Sequence, residues 1–124
     1  MRRLVLAAIS ALSLAQGARA GAILTEGDAG MARAAAVGET IELRLKENPS
    51  TGYVWSVAVD PPGAASILSR HRAAKSSLVG APGTREIALT IRRAGPLTIR
   101  ATNGRPWEGA ASAAQRLEFR IEAR

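Results

Sequence analysis

The sequence predicts an all-β domain, an antiparallel sandwich of about seven strands, and three observations carry this prediction. Apolar and polar residues alternate with a period of two in several short runs, which is typical of half-buried strands. Turns rich in glycine and proline separate these runs, as at Asp60-Pro61-Pro62-Gly63 and Arg93-Ala94-Gly95-Pro96. No segment after residue 20 shows the periodicity of an amphipathic helix. An immunoglobulin-like sandwich fits these features best.

The clearest strands follow directly from the alternation. They are predicted at 39–47, 53–59, 85–92, 97–101 and 116–123. Their apolar residues point to one face of each strand and form the predicted core, with Trp55 as a core anchor. The inward-facing residues are Ile41, Leu43, Leu45, Trp55, Val57, Val59, Ile87, Leu89, Ile91, Leu97, Ile99, Leu117, Phe119 and Ile121.

Three other segments carry weaker patterns. Ala22–Thr25 is predicted as a first short strand. Gly27–Gly38 is rich in small residues and fits either a loop or a further edge strand. Over Ala64–Ser77 the alternation is poor, and one irregular strand is predicted near Ser76–Leu78.

Residues 1–20 have the features of a secretory signal peptide. Arg2-Arg3 precedes an apolar run over Leu4–Ala15, and Ala18-Arg19-Ala20 places small residues at both key positions of a cleavage site. We therefore expect cleavage after Ala20 and an exported domain over 21–124, either periplasmic or secreted. The apolar run is shorter than the ~20 residues of a spanning helix, which disfavours a stable membrane anchor.

The charge pattern argues against nucleic-acid binding. Loss of Arg2, Arg3 and Arg19 with the signal peptide lowers the net charge from +7 to +4. The remaining basic residues are scattered and alternate with glutamates, so no basic run follows a phosphate backbone. Lysine occurs only at Lys46 and Lys75 in a chain rich in alanine and arginine, a composition typical of GC-rich bacterial genomes.

The reactive residues are too few to predict an enzyme. The chain has no cysteine, which excludes disulfides, a thiol nucleophile and a thiolate metal site. His71 is the single histidine and lies in the polar run Ser69–Arg72, so we interpret it as a surface side chain. A Ser-His-Asp triad remains formally open, although no nucleophile-elbow pattern lies nearby. Neither a metal ion nor a cofactor is expected.

The segment Asn48-Pro49-Ser50-Thr51-Gly52-Tyr53 is a compact run of turn-forming residues between two predicted strands. Pro49 restricts the backbone, and Gly52 permits a positive φ. Ser50 and Thr51 can bond back to the local backbone. Taken alone, this pattern indicates a β-turn and nothing more.

Two further loops make the first one more informative. Gly80-Ala81-Pro82-Gly83-Thr84 and Asn103-Gly104-Arg105-Pro106-Trp107 follow later strands. If each strand crosses the sandwich once, the three loops follow strands two, four and six and emerge at one end. Arg105 and Trp107 are residue types enriched at interface hot spots. Trp107 has an alternative position, folded back over the end of the sandwich.

In this order and spacing, the three loops resemble the inhibitory loops of the chagasin family, which are reversible inhibitors of papain-like cysteine proteases. The resemblance extends to Trp55 after the first loop, Leu78-Val79 before the second and Gly109 after the third. It covers most of the predicted mature chain and is weakest before Glu39.

The resemblance implies an immunoglobulin-like domain that occludes a protease cleft without chemistry of its own. The first loop would enter near the catalytic cysteine and the other two would grip the flanking walls. Ser50 replaces a common threonine, whereas Pro82 removes a backbone donor from a loop usually richer in glycine. The candidate protease-binding residues are Asn48, Pro49, Ser50, Thr51, Gly52, Tyr53, Gly80, Ala81, Pro82, Gly83, Thr84, Arg105, Pro106 and Trp107.

A papain-like cysteine protease is thus the expected partner, and we expect the inhibitor to be a monomer. The alternative hypothesis is an exported immunoglobulin-like assembly module, which would use the same loops to bind another protein without inhibiting a protease.

Overall fold

The structure, a computed structural model, describes residues 20–74 and 82–124. Eight strands form two four-stranded sheets in the described chain. In chain order they are β1 (Ala20–Leu24), β2 (Ala32–Ala35), β3 (Thr40–Glu47), β4 (Val54–Asp60), β5 (Ala65–Arg72), β6 (Gly83–Ile91), β7 (Gly95–Gly104) and β8 (Gln115–Ala123). Short 3₁₀ turns lie at Glu26–Asp28, Pro49–Thr51, Pro106–Glu108 and Ala110–Ser112.

The first sheet has the strand order β1-β3-β6-β5 and the second the order β2-β8-β7-β4. The two N-terminal edge strands pair in parallel, β1 with β3 and β2 with β8. All other pairs are antiparallel. The inner faces of both sheets contribute to one apolar core, which confirms the predicted all-β sandwich.

The core contains the residues that the alternation assigned to it, except that Val57 and Leu117 are half-buried and pack against its margin. Trp55 is only 4% exposed, and its indole Nε1–H donates to the Lys46 carbonyl at 2.8 Å. A buried indole requires such a partner, so Trp55 anchors the core without an unsatisfied donor. The largest fully buried side chains are Phe119, Ile41, Leu43, Leu45, Ile87, Leu89, Ile91, Ile99 and Ile121.

Two segments differ from the prediction made for them. Within Gly27–Gly38 the chain forms the edge strand β2, which raises the strand count to eight. Between residues 64 and 77 the described strand is β5, whereas the strand predicted near Ser76–Leu78 lies outside the described residues. Because β5 is an edge strand that leaves Ile67 and Leu68 exposed, its burial lacks the alternation on which the prediction relied.

Six strand termini lie at one end of the sandwich, which we call the loop end. The register pairs Glu47 at the end of β3 with Gly83 at the start of β6, and Arg72 at the end of β5 with Thr84. In the second sheet, Val54 pairs with Gly104. The three candidate loops therefore follow β3, β5 and β7, one strand later than predicted, and their described flanks share the loop end. Across the described ranges, no helix is long and apolar enough to cross a bilayer.

Candidate functional site

The first loop is held by its own side chains. Asn48 precedes the 3₁₀ turn Pro49–Thr51, and its Oδ1 accepts from Ser50 Oγ at 2.6 Å and from Ser50 N–H at 3.3 Å. Thr51 Oγ1 donates to the Asn48 carbonyl at 2.8 Å. Gly52 ends the turn at a φ of 86°, a conformation that favours glycine. The tip of this loop is therefore ordered before any partner arrives.

The third loop lies directly against the first. A β-carbon placed on Gly52 would be 2.5 Å from Trp107 Cη2 and 3.2 Å from Cζ2, so the indole covers this glycine. Trp107 is nevertheless 70% exposed. The sequence allowed either an exposed binding residue or a side chain folded back over the end of the sandwich. In the structure, one part of the Trp107 ring contacts the first loop and the rest is exposed to solvent.

Arg105 links the same two loops through charge and hydrogen bonding. Its Nε–H donates to the Thr51 carbonyl at 3.2 Å, and its guanidinium carbon lies 4.5 Å from the centroid of the Tyr53 ring. The guanidinium also lies 6.0 Å from the Trp107 ring and pairs with Glu108 at 3.3 Å. Because its donors and its cationic face are used within the protein, Arg105 positions the loops as well as forming part of their surface.

The second candidate loop is described only at its exit. Gly80 and Ala81 lie outside the described residues, and Pro82 is exposed. Gly83 and Thr84, which the sequence assigned to the loop, form the start of β6. A β-carbon on Gly83 would be 2.3 Å from the Arg72 carbonyl oxygen, so only glycine permits this close approach of β5 and β6.

Polar side chains gathered around a buried carboxylate support the loop end from beneath. They are the side chains of Glu47, His71 and Arg85, which we call the Glu47 cluster. The Glu47 side chain has no exposed surface, and Oε1 lies 2.7 Å from His71 Nδ1 and 2.9 Å from an Arg85 Nη2. Glu47 Oε2 accepts the Trp55 backbone N–H at 2.7 Å. The carboxylate thus joins the ends or starts of four strands, β3 to β6.

The hydrogen bonds to Glu47 determine its ionisation. Burial alone would raise the pKa of the Glu47 carboxyl, because a low-dielectric environment disfavours the charged form. The hydrogen bonds from Arg85, the Trp55 N–H and His71, with the positive charge of Arg85, outweigh burial and hold the pKa below its ordinary value. The buried carboxylate is therefore ionised and satisfied at neutral pH.

Comparison with known proteins assigns the chain to a family. The model of the chagasin family of peptidase inhibitors, I42, matches residues 34–122. The chain belongs to this family. The chagasin family consists of peptidase inhibitors, so this chain is an inhibitor and not an enzyme.

Individual members of the family and solved structures agree with this assignment. Chagasin of Trypanosoma cruzi is 29% identical over 105 residues, which cover 81% of this chain and 96% of chagasin. The crystal structure of the cysteine protease inhibitor EhICP2 from Entamoeba histolytica has a TM-score of 0.71 and 29% identity, covering 82% of this chain and 93% of that one. PbICP-C, solved in complex with falcipain-2, has a TM-score of 0.59 and 17% identity, covers 91% and 98% of the two chains, and shows the shared fold alone.

Within this chagasin-family domain, the structure brings two of the three candidate loops together. The exposed residues of the resulting edge are Pro49, Ser50, Thr51, Pro106 and Trp107. Asn48, Gly52, Tyr53 and Arg105 are half-buried behind them and hold them in place. The described flanks of the second loop, at the end of β5 and the start of β6, lie at the same end.

Sequence reasoning missed the Glu47 cluster, although a signal was present. Glu47 follows Leu43 and Leu45 at intervals of two residues on β3, and Arg85 lies two residues before Ile87 on β6. A period of two therefore places both charged side chains on the inner face. His71, interpreted as a surface residue, has a side chain that is only 25% exposed.

The described residues contain no group of three or more histidine, aspartate, glutamate or cysteine side chains that could hold a metal ion. The charges of the Glu47 cluster are engaged with one another. The described part of the site is a surface of defined shape, held by hydrogen bonds and contacts between its own loops.

Proposed function

We propose that this chain is a reversible, tight-binding inhibitor of papain-like cysteine proteases that occludes the active-site cleft with the loops of the loop end. The observation that carries the proposal is the single exposed edge formed by the first and third loops. Trp107 rests on Gly52 and Arg105 bonds to Thr51, so the two loops form one wedge. A wedge of fixed shape suits a cleft because little conformational entropy is lost on binding.

The wedge blocks the cleft without offering a substrate. Pro49–Thr51 is a closed 3₁₀ turn with internal hydrogen bonds, and an extended peptide is what a protease cleft aligns for cleavage. The inhibitor has no cysteine, so it offers no thiol for exchange with the catalytic thiolate. Inhibition is therefore expected to be reversible and to leave the inhibitor uncleaved.

The large exposed aromatic supplies the affinity that such a wedge needs. Interface hot spots are enriched in tryptophan and arginine, and their truncation typically weakens binding by ~2 kcal/mol or more. Trp107 presents most of its indole to solvent at the tip of the third loop. Pro106 precedes it and restricts the backbone that carries it.

Titration of papain with the purified protein tests this function. We expect reversible loss of peptidase activity, with the inhibitor recovered at its original mass. A folded sample that leaves papain fully active at about 10 µM, a concentration well above the dissociation constant of a tight complex, would overturn the proposal. That outcome would favour the assembly module as the alternative, because the same exposed edge would then need another protein partner.

We also propose that the inhibitor is exported and acts as a monomer in the periplasm or the medium. The basic, apolar and small-residue segments of residues 1–20 support export. Cleavage after Ala20 would leave Gly21, the second residue of β1, as the new N-terminus. Mass spectrometry of the protein from a cell fractionation tests this, and an unprocessed chain in the cytosolic fraction would contradict it.

A further inference from the structure

The Glu47 cluster lies where two of the candidate loops begin and end. Glu47 directly precedes Asn48, the first residue of the first loop. His71 lies one residue before the end of β5, the strand that leads into the second loop. Arg85 lies two residues into β6, the strand that leaves it. The carboxylate therefore contacts both flanks of the second loop from the root of the first.

These contacts are close and directional. The buried carboxylate is acceptor-only when ionised, so His71 Nδ1–H donates to Oε1 at 2.7 Å. Arg85 Nε–H lies 3.1 Å from both carboxylate oxygens. The His71 ring also lies against Gly83, since a β-carbon there would be 2.7 Å from its Nε2 and Cε1.

We propose that Glu47 and His71 are positioning residues that fix the described flanks of the second loop, at the end of β5 and the start of β6, relative to the first loop in the free inhibitor. The inference rests on the proposed protease inhibition and concerns residues that do not themselves touch the protease. Loops held at the correct separation before binding require less ordering on binding, which raises affinity. A buried ion pair is often replaceable by apolar residues without loss of stability, so stability alone is a poor reason for this cluster.

A pair of substitutions at His71 separates positioning from packing. His71→Leu removes the donor, whereas His71→Asn retains an N–H donor near the position of Nδ1. We expect His71→Leu to raise the inhibition constant for papain by about tenfold, the effect of ordering one or two additional side chains on binding. His71→Asn should recover most of the affinity. Equal, wild-type inhibition constants for both variants would overturn the inference.

A core substitution controls for loss of stability. Ile99→Val removes a buried methylene from β7 in the second sheet, away from the cluster. Even where Ile99→Val lowers the melting temperature as much as His71→Leu does, it should leave the inhibition constant for papain unchanged. If Ile99→Val and His71→Leu weaken inhibition equally, the effect of His71 is one of stability and the positioning role is wrong. Should His71→Leu fail to fold, the near-isosteric Glu47→Gln takes its place in the same comparison.

Hydrogen exchange keeps this test independent of protease inhibition. The Trp55 N–H donates to Glu47 Oε2, and the Gly52 N–H donates to the Pro49 carbonyl in the first loop. In His71→Leu, faster exchange at both amides without a change at Ile99 would support positioning even if the wild-type protein does not inhibit papain. Unchanged exchange at Gly52 would overturn it, whereas the proposed function would still stand or fall by the wild-type titration.

Discussion

The indole of Trp107 covers the backbone of Gly52 so closely that residue 52 has no room for a side chain. The distance from an ideal β-carbon at Gly52 to Trp107 Cη2 is 2.5 Å, well below any normal contact. The two residues come from different loops and are separated in sequence by the four strands β4 to β7. Their contact converts two turns that are separate in sequence into one wedge.

Gly52→Ala should separate the two loops. The substitution places a β-carbon in the Trp107 ring and a side chain at a φ of 86°, which alone costs about 1–2 kcal/mol. We expect a lower free energy of unfolding and a rise of at least tenfold in the inhibition constant for papain, measured by chemical denaturation and by titration.

Gly38→Ala is the matched control for this prediction. Gly38 has a φ of 93° and no atom within 4 Å of an added β-carbon, so it isolates the backbone strain. It should lower stability without affecting inhibition. In a Trp107→Ala background, the stability cost of Gly52→Ala should fall to that of Gly38→Ala, because the steric conflict is gone. An undiminished cost would show that the ring does not oppose a side chain at position 52.

Trp107→Ala should weaken inhibition with little effect on folding. The side chain is 70% exposed, so its removal costs little core energy, whereas a hot-spot tryptophan contributes ~2 kcal/mol or more to binding. We expect a rise of at least tenfold in the inhibition constant and a nearly unchanged melting temperature. Leu68→Ala, at a residue that is 73% exposed on β5, should change neither quantity. An unchanged constant for Trp107→Ala would remove this residue from the interface.

Arg105 and Tyr53 should be energetically coupled. The guanidinium lies 4.5 Å from the Tyr53 ring centroid, a distance at which cation–π attraction contributes about 0.5–1 kcal/mol at an exposed site. In a double-mutant cycle of Arg105→Met and Tyr53→Leu on stability, the combined loss should be smaller than the sum of the single losses by that amount. Strict additivity would show that the stacking contributes nothing.

The stability contributed by Glu47 should depend on pH. Its pKa is lower in the folded protein than in the unfolded chain, so its contribution is fully present above the unfolded pKa, about 4.3. It is lost as the pH falls through the folded pKa. At neutral pH, Glu47→Gln should lower the free energy of unfolding by about 3–5 kcal/mol, because it leaves the largely buried Arg85 guanidinium without its carboxylate.

The difference between wild type and Glu47→Gln should therefore shrink as the pH falls below the unfolded pKa, because the unfolded carboxyl binds a proton before the native one does. Urea denaturation of both proteins at a series of pH values measures this difference in the free energy of unfolding. Glu122→Gln is the matched control, since Glu122 is exposed on β8 and surface substitutions usually change stability by less than about 0.5 kcal/mol. A difference for Glu47→Gln that stays constant down to pH 3 would contradict the lowered pKa.

The core and most strands of this protein follow from local sequence. Burial of every second residue along β3, β6 and β8 is dictated by the pleat of a strand, so Ile41, Ile87 and Phe119 were predictable as core residues. The turns were equally local, because a proline such as Pro49 restricts the backbone and a glycine such as Gly52 permits a positive φ wherever they occur. Edge strands were not predictable in this way, since β5 is partly exposed on both faces and shows no alternation.

The candidate site, too, was predictable in its local features and not in its long-range contacts. The sequence shows the residue types of the first and third loops and their order in the chain. These features carried the resemblance to the chagasin family. The register of the sheets decided the rest. Pairing of Leu45 and His71 with Arg85 brings three strands of the first sheet together, and Glu47 reaches both partners only through that register.

By itself, then, the sequence determined most of the apolar core, where the chain turns and which family it belongs to, because each depends on a few adjacent residues. Only the tertiary structure decided that Trp107 rests on Gly52, that Arg105 bonds to Thr51 and that Glu47 meets His71. These contacts join residues more than twenty positions apart, and their distances depend on how the two sheets pack and pair rather than on any local preference.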